Sequence, residues 1–253
     1  RHEEDAFKLI NMSIEFMKKR ESKSKVKKSN VKLIISNNGE LDTITKVLNF
    51  KPEKVNIDKH YSDSFSESYD SFISQLKERG TSGLHLLHGD PGCGKTTLIK
   101  YLMSLDLGKS IFYISPEMAG ALAQPNLIQF MLEESKNSIL IVEDGESILA
   151  PRAAGHSDAT TNLLNLTDGI LGDLLNIQII CTFNTDRKSI DQALLRPGRL
   201  LSDNKFGELS IEKSNILLKE LDKPATAVPM RICDIFNDNI DSADSFKSKS
   251  IGF

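Results

Sequence analysis

The run from Gly89 to Thr97, GDPGCGKTT, spaces glycine, lysine and threonine as G-x-x-x-x-G-K-[ST], with Gly89, Gly94, Lys95 and Thr96 at the defining positions. Glycine tolerates backbone angles that side chains forbid, so the N–H groups of Gly89, Asp90, Gly92, Cys93 and Gly94 can curl around a phosphate chain, while Pro91, which has no N–H, contributes only its fixed turn. Lys95 adds a cation for the β and γ oxygens, and the Thr96 hydroxyl is suited to a magnesium ion, with Thr97 beside it. The segment before the loop, GLHLLH, reads as a strand, and TTLIKYLM after it as a helix, whose positive N-terminus would face the anion. A nucleotide site is the reading these types and spacings support. Cys93 is a small residue that fits a variable position, with oxidation as the alternative use of its thiol. His85 and His88 on the first strand read as hydrogen-bonded structural residues.

A second group completes the chemistry. In ILIVEDGE, four apolar residues lead to Glu143 and Asp144, with Glu146 two positions on. Carboxylates at the carboxyl end of a buried strand emerge where a magnesium shell and an attacking water are needed. We assign Glu143 to magnesium, together with Thr96, and Asp144 to activation of water. IICTFN ends in Asn184, whose amide can hold the water or a γ-phosphate oxygen. SIDQALLRPGRLLS reads as a helix stopped by Pro197 and Gly198, with Arg196 and Arg199 on either side of the stop. An arginine of this kind can stabilise charge on the phosphate of a neighbouring subunit.

The elements that must position these residues follow from apolar periodicity. GLHLLHG, SIFYIS, SILIVED and IQIICTFN are short apolar runs alternating with helical segments such as TTLIKYLMSL and PNLIQFMLEES, which argues for an α/β fold with a doubly wound parallel sheet. SDSFSESYDSFISQLKERG predicts a helix with Tyr69, Phe72, Ile73 and Leu76 on one face. We expect an α/β core over 61–205, a small helical lid and polar tail over 206–253, and an N-terminal accessory region over 1–60. Within that region Phe7, Ile10, Ile14 and Met17 share a helical face, the basic run from Lys18 to Lys28 reads as a solvated linker or a partner patch, VKLIIS as a strand and ELDTITKVLNF as a short helix.

Bulk properties narrow the class. The 253 residues are 39% hydrophobic with a formal net charge of -3, which suits a globular core and gives no overall pull toward nucleic acid. No stretch reaches the length of a membrane helix, and the first residues lack a signal-peptide layout. Three cysteines, Cys93, Cys181 and Cys233, are too few for a disulfide framework and read as reduced thiols of a cytoplasmic protein.

Together, GDPGCGKTT, ILIVED, CTFNT and DQALLRPGR resemble the AAA+ ATPases in order and distance over about residues 65–220. The Glu-Asp order and NLLNLTDGI are most similar to the mitochondrial complex III chaperone ATPases that translocate a Rieske protein, although the membrane helix and dedicated domain of those proteins are not evident here. The resemblance implies ATP and Mg2+ as cofactors, the roles given above for Glu143, Asp144 and Asn184, and trans-acting fingers at Arg196 and Arg199. It implies a homo-oligomer, a ring or helical array with a hexamer favoured, that remodels or translocates a protein partner. PEMAGALAQPN lacks the aromatic that threading members carry, leaving Met118 in its place, and Arg231 is the candidate for a second sensor. No N-K-x-D motif follows the sheet, so ATP is favoured over GTP. Two other readings stand beside this one, an ATP-gated scaffold with little turnover and a protein acting on nucleic acid through the basic run.

Overall fold

The computed structural model describes residues 30–37, 39–134, 136–149, 157–184 and 190–237. The proposed helix near the N-terminus, the basic run and the polar tail lie outside them. Four of the strands expected from apolar runs are present: β3 (Gly83–Gly89), β4 (Ser110–Ile114), β5 (Ser138–Val142) and β6 (Gln178–Phe183). Every residue of β5 and β6 is buried. That is why the runs are apolar without alternation: both faces of the sheet are covered by helices.

Three further strands complete a seven-stranded sheet in the order β2-β1-β4-β5-β6-β3-β7. β1 (Asn30–Asn37) runs parallel to β4, pairing Val31 with Ile111, and turns back into antiparallel β2 (Glu40–Val47). Residues 30–47, expected to belong to an accessory region, are thus continuous with the main sheet. The helix expected over ELDTITKVLNF is a correction: the segment is strand β2, its β-branched Thr43, Ile44, Thr45 and Val47 suiting an extended edge that pairs along its whole length with β1. β7 (Leu200–Phe206) forms the opposite edge beside β3.

The helices lie where the crossovers require. α1 (Ile57–His60) and α2 (Asp63–Lys77) precede β3; α3 (Lys95–Ser104) links β3 to β4; α4 (Leu127–Glu134) precedes β5; α5 (Glu146–Leu149), α6 (Ser157–Thr167) and α7 (Gly169–Leu175) lie between β5 and β6. α8 (Ile211–Glu220) and α9 (Ile232–Phe236) pack around a small apolar cluster of Leu209, Leu217, Leu218 and Ile235. On one face of the sheet Phe65, Phe72 and Leu76 of α2 pack with Leu98 and Ile99 of α3; on the other, Leu127 of α4 and Leu163 of α6 pack with Leu140 and Ile179. The helix expected over SIDQALLRPGR is also corrected. Its described part, 190–199, is a chain of tight turns in which Leu194 donates to the Asp191 carbonyl and Arg199 to the Arg196 carbonyl, and Pro197 has no N–H with which to continue a helix.

Among the described residues, no helix is long and apolar enough to cross a membrane.

Candidate functional site

The carboxyl ends of β3, β5 and β6 open onto one cavity of about 780 Å3. Its floor is the loop between β3 and α3. Gly89 has φ 138°, and a Cβ there would overlap the Phe206 carbonyl of β7, so the loop leaves the sheet only because this position is bare. Gly94 caps α3 in the left-handed conformation at φ 92°, and its carbonyl accepts a hydrogen bond of 3.3 Å from the Tyr61 hydroxyl. The turn points the first N–H groups of α3 into the cavity, where Thr96 and Thr97 are exposed.

Lys95 is folded over the loop. Its Nζ donates to the carbonyls of Gly89 at 2.6 Å and Asp90 at 3.0 Å. Burial pulls its ammonium below the ordinary lysine range, while nearby Cys93, Asp144, Glu146 and Asp90 oppose that shift. A phosphate would offer this cation stronger acceptors than two loop carbonyls.

The two carboxylates after β5 separate. Asp144 adopts φ 50°, its N–H donates to the Thr182 Oγ1 at 3.1 Å, and its Oδ1 accepts from the Asn184 amide at 3.2 Å. Asp144, Thr182 and Asn184 all line the large cavity with Lys95 and Thr96. Glu143 instead accepts a 2.7 Å hydrogen bond from the Tyr113 hydroxyl and borders a smaller cavity of about 260 Å3 beside β1 and α3. Burial, and next the bond to Glu143, hold the Tyr113 phenol above its usual range, so it stays a donor at neutral pH. The structure therefore brings Asp144 to the phosphate loop and turns Glu143 toward Tyr113.

Sequence reasoning named Glu146 without a role and missed Thr182. Glu146 accepts the Asn184 backbone N–H at 2.6 Å, and Gly145 donates to the Thr182 carbonyl at 2.8 Å, which ties the end of β6 to the turn after β5. The missed upper wall comes from the segment after β2, including Asn49, Phe50 and Val55, and from Ile232 and Phe236 of α9. The rings of His60 and Phe236 meet edge to face at 5.9 Å. No local motif marks these residues, because their shared location arises from two chain segments about 180 positions apart.

Helix α9 touches the loop directly. The Cys233 N–H donates to the Gly92 carbonyl at 3.1 Å, and a Cβ on Gly92 would collide with the Cys233 thiol. Arg231 pairs with Asp234 at 2.8 and 3.1 Å and reaches the Pro91 carbonyl at 3.4 Å. Burial is the main cause that raises the Cys93 thiol above its usual range, so it is a poor nucleophile in this setting. His85 is fully buried against Phe72, with Nδ1 2.7 Å from the Ser202 hydroxyl, and burial pushes it down to about 3. It is a neutral packing residue, and His88 sits 3.0 Å from Asp203 with its ring stacked on Phe183.

Arg196 and Arg199 lie outside the cavity wall. Arg199 Nε donates to Asp168 at 2.8 Å and Nη1 to the Ala193 carbonyl at 2.9 Å; Arg196 is exposed on the same turn.

The oxygen donors on the cavity, Thr96 and Asp144, suit a hard divalent cation. Among the described residues no group of three or more His, Cys, Asp or Glu could hold a metal ion. A cation here would therefore draw most of its shell from phosphate and water, as magnesium does.

Residues 85–208 match the ATPase family associated with various cellular activities (AAA), and the mostly parallel seven-stranded sheet with its helices is that of an α/β phosphate-loop NTPase fold. Relatives include an AAA-ATPase of Arabidopsis thaliana, 27% identical over 57% of this chain and 35% of its own length. A proteasome-associated ATPase of Streptomyces coelicolor is 30% identical over 46% of this chain and 24% of its own length. A vesicle-fusing ATPase of Caenorhabditis elegans is 26% identical over 57% of this chain and 20% of its own length. The matched part of this chain thus spans about a third or less of these relatives.

Proposed function

We propose that this chain is a magnesium-dependent ATPase that assembles head to tail and uses nucleotide turnover to remodel or translocate a protein partner. The observation that carries the reading is the convergence of Lys95, Thr96, Asp144 and Asn184 on one cavity at the carboxyl ends of three neighbouring strands. Gly89 to Thr97 cradle the phosphates, and Lys95 exchanges its loop carbonyls for phosphate oxygens. The base lies between the segment after β2 and α9, where Phe50, Val55, Ile232 and Phe236 supply apolar walls. Thr96 would help hold magnesium, which would supply positive charge to the β- and γ-phosphate oxygens. Glu143 would hold that ion as well, in part through water, after leaving Tyr113. Asp144 accepts the proton of the attacking water, which the Asn184 amide orients.

Arg196 acts on the nucleotide of the next copy, because it stands outside the cavity of its own chain, and Arg199 supports it. Such a contact is heterologous and closes into a ring, a hexamer in this reading, or extends as a helical array. Relatives named for the proteasome and for vesicle fusion support a macromolecular partner. The Glu-Asp order keeps the kinship to complex III chaperone ATPases within the proposal, and free Cys93, Cys181 and Cys233 accord with a cytoplasmic setting. The test is phosphate release against protein concentration, with Asp144→Asn as the control. Activity that rises with assembly and is lost in the variant is expected. Tight ATP binding with no turnover in the assembled wild type would instead establish the scaffold reading, which the Tyr113–Glu143 bond favours.

A further inference from the structure

Two of the three thiols belong to residues that meet at one glycine. Cys93 follows Gly92 in the phosphate loop, and Cys233 of α9 donates its N–H to the Gly92 carbonyl at 3.1 Å. The Cys233 side chain turns back over the same residue: a Cβ on Gly92 would lie 2.2 Å from the Cys233 Sγ and 3.1 Å from its Cβ. Standard peptide dimensions added to that backbone hydrogen bond leave the Cα atoms of Cys93 and Cys233 about 7 Å apart at most. Disulfides span roughly 4.4–6.8 Å between Cα atoms, so the backbone already holds the pair near bonding range. Arg231, at the start of α9, reaches the Pro91 carbonyl at 3.4 Å and keeps the helix in register with the loop. Access differs between the two thiols. Cys233 is exposed and lines the large cavity, whereas Cys93 is 3% exposed beneath the loop.

From this geometry we propose that Cys93 and Cys233 are a redox pair, which a small-molecule disulfide such as oxidised glutathione converts to an intrachain disulfide that fastens α9 to the phosphate loop and shuts the site to nucleotide. The proposal rests on the reading of Gly89 to Thr97 as a nucleotide cradle and adds its regulation. The exposed Cys233 thiolate attacks one sulfur of the reagent, forming a mixed disulfide and expelling one thiolate. The Cys93 thiolate then attacks the Cys233 sulfur, forming the Cys93–Cys233 bond and expelling the second. The two protein protons leave with the two small thiols, and the two electrons given up by the cysteines reduce the S–S bond of the reagent. Burial disfavours the Cys93 thiolate, and closeness to the mixed disulfide offsets that handicap, because the second attack is intramolecular. Bridging turns the Cys93 side chain out of the apolar cluster that includes Tyr61, Leu98 and Phe206. Tyr61 also bonds the Gly94 carbonyl, so the disturbance reaches the turn whose N–H groups face the phosphates.

The test treats the wild-type chain, Cys93→Ser and Cys233→Ser with oxidised glutathione and compares each with its own reduced form by intact mass, a non-reducing peptide map and binding of a fluorescent ATP analogue. The oxidised wild type should lose two hydrogens, yield one peptide pair joined through Cys93 and Cys233, and bind the analogue roughly tenfold or more weakly, as loss of a hydrogen bond to a charged group costs. Dithiothreitol should restore the affinity. Cys93→Ser should stop at a single glutathione adduct on Cys233, and Cys233→Ser should keep its affinity through oxidation. A wild-type chain that carries glutathione on Cys233 and forms no bridge would overturn the proposal, as would a bridge that leaves the affinity unchanged. A reduced wild-type chain that does not bind the analogue would overturn the nucleotide reading instead, and the shutting of the site with it, while the peptide map still decides whether the bridge forms.

Discussion

The phosphate loop and the arginine corner are both short turns rich in charge, yet the fold treats them in opposite ways. Residues 89–97 are braced from three sides: β7 backs Gly89, Tyr61 bonds Gly94, and α9 rests on Gly92. The charged group of the loop, Lys95, is 7% exposed and satisfied by its own carbonyls. The turn at 190–199 is anchored on its inner side by Ile190 and Leu194, and it presents Arg196 outward. A site finished within one chain can be preorganised by local packing; a group meant for another chain has to be held rigid from behind and left bare in front. Arg199, bonded to Asp168 and Ala193, supplies the backing in this scheme.

The sharpest way to break this contrast is Arg196→Ala. If the corner serves a neighbour, turnover should fall by roughly three to five orders of magnitude while ATP affinity stays within a few-fold of wild type. Mixing the variant with an Asp144→Asn chain should restore part of the activity, since each copy supplies what the other lacks. Turnover unchanged in Arg196→Ala would return the corner to an ordinary surface turn.

Next in size is the braced side. Asp144→Asn should lower kcat by about 10²–10⁴-fold without loss of ATP binding, as for removal of a general base. Glu143→Gln should also reduce turnover if Glu143 leaves Tyr113 for the magnesium shell. Measuring the two variants against magnesium concentration separates them: extra magnesium should partly rescue Glu143→Gln and leave Asp144→Asn unchanged. An Asp144→Asn enzyme with wild-type kcat would remove this carboxylate from the reaction.

A structural prediction comes third. Gly89→Ala should destabilise the protein by at least about 1–3 kcal/mol, because the left-handed φ and the overlap with the Phe206 carbonyl act together. Thermal melting with and without ATP reads both losses at once. A variant that melts with the wild type would show that β7 yields at this point.

The same contrast explains what could be read from the sequence. The loop, the acidic turn after β5 and the end of β6 announce themselves because each lies at the end of a continuous apolar run, and β5 and β6 are apolar on both faces because helices cover both. The edges of the sheet carry no such signal. In and just after β2, Leu41, Ile44 and Leu48 recur at three and four positions, which suggests a helix, while the strand is set by pairing with β1. In β7 only Asn204 and Phe206 are buried, so LLSDNKF has no apolar run to mark it as a strand. The partner of Arg199 lies 31 positions away in the chain, at the start of a helix, and local sequence around the arginine contains no hint of it. The facing of Glu143 toward Tyr113 depends on a neighbouring strand in the same way.

The smallest effect sharpens the division of labour between the two arginines. Asp168→Asn keeps a side chain able to cap α7 and removes the charge that holds Arg199, so kcat should fall only a few-fold, far less than in Arg196→Ala. The carboxyl of Asp168 is held below its ordinary value of 3.8, first by the Gly169 N–H and then by Arg199. A carboxylate whose folded pKa is depressed stabilises the fold fully above its unfolded pKa, and that contribution is lost as pH falls through the folded value. The difference in melting temperature between wild type and Asp168→Asn should therefore be flat from neutrality down to about pH 5 and shrink below about pH 4. A difference that already changes between pH 8 and 6 would mean that another group, not this carboxylate, fastens the corner.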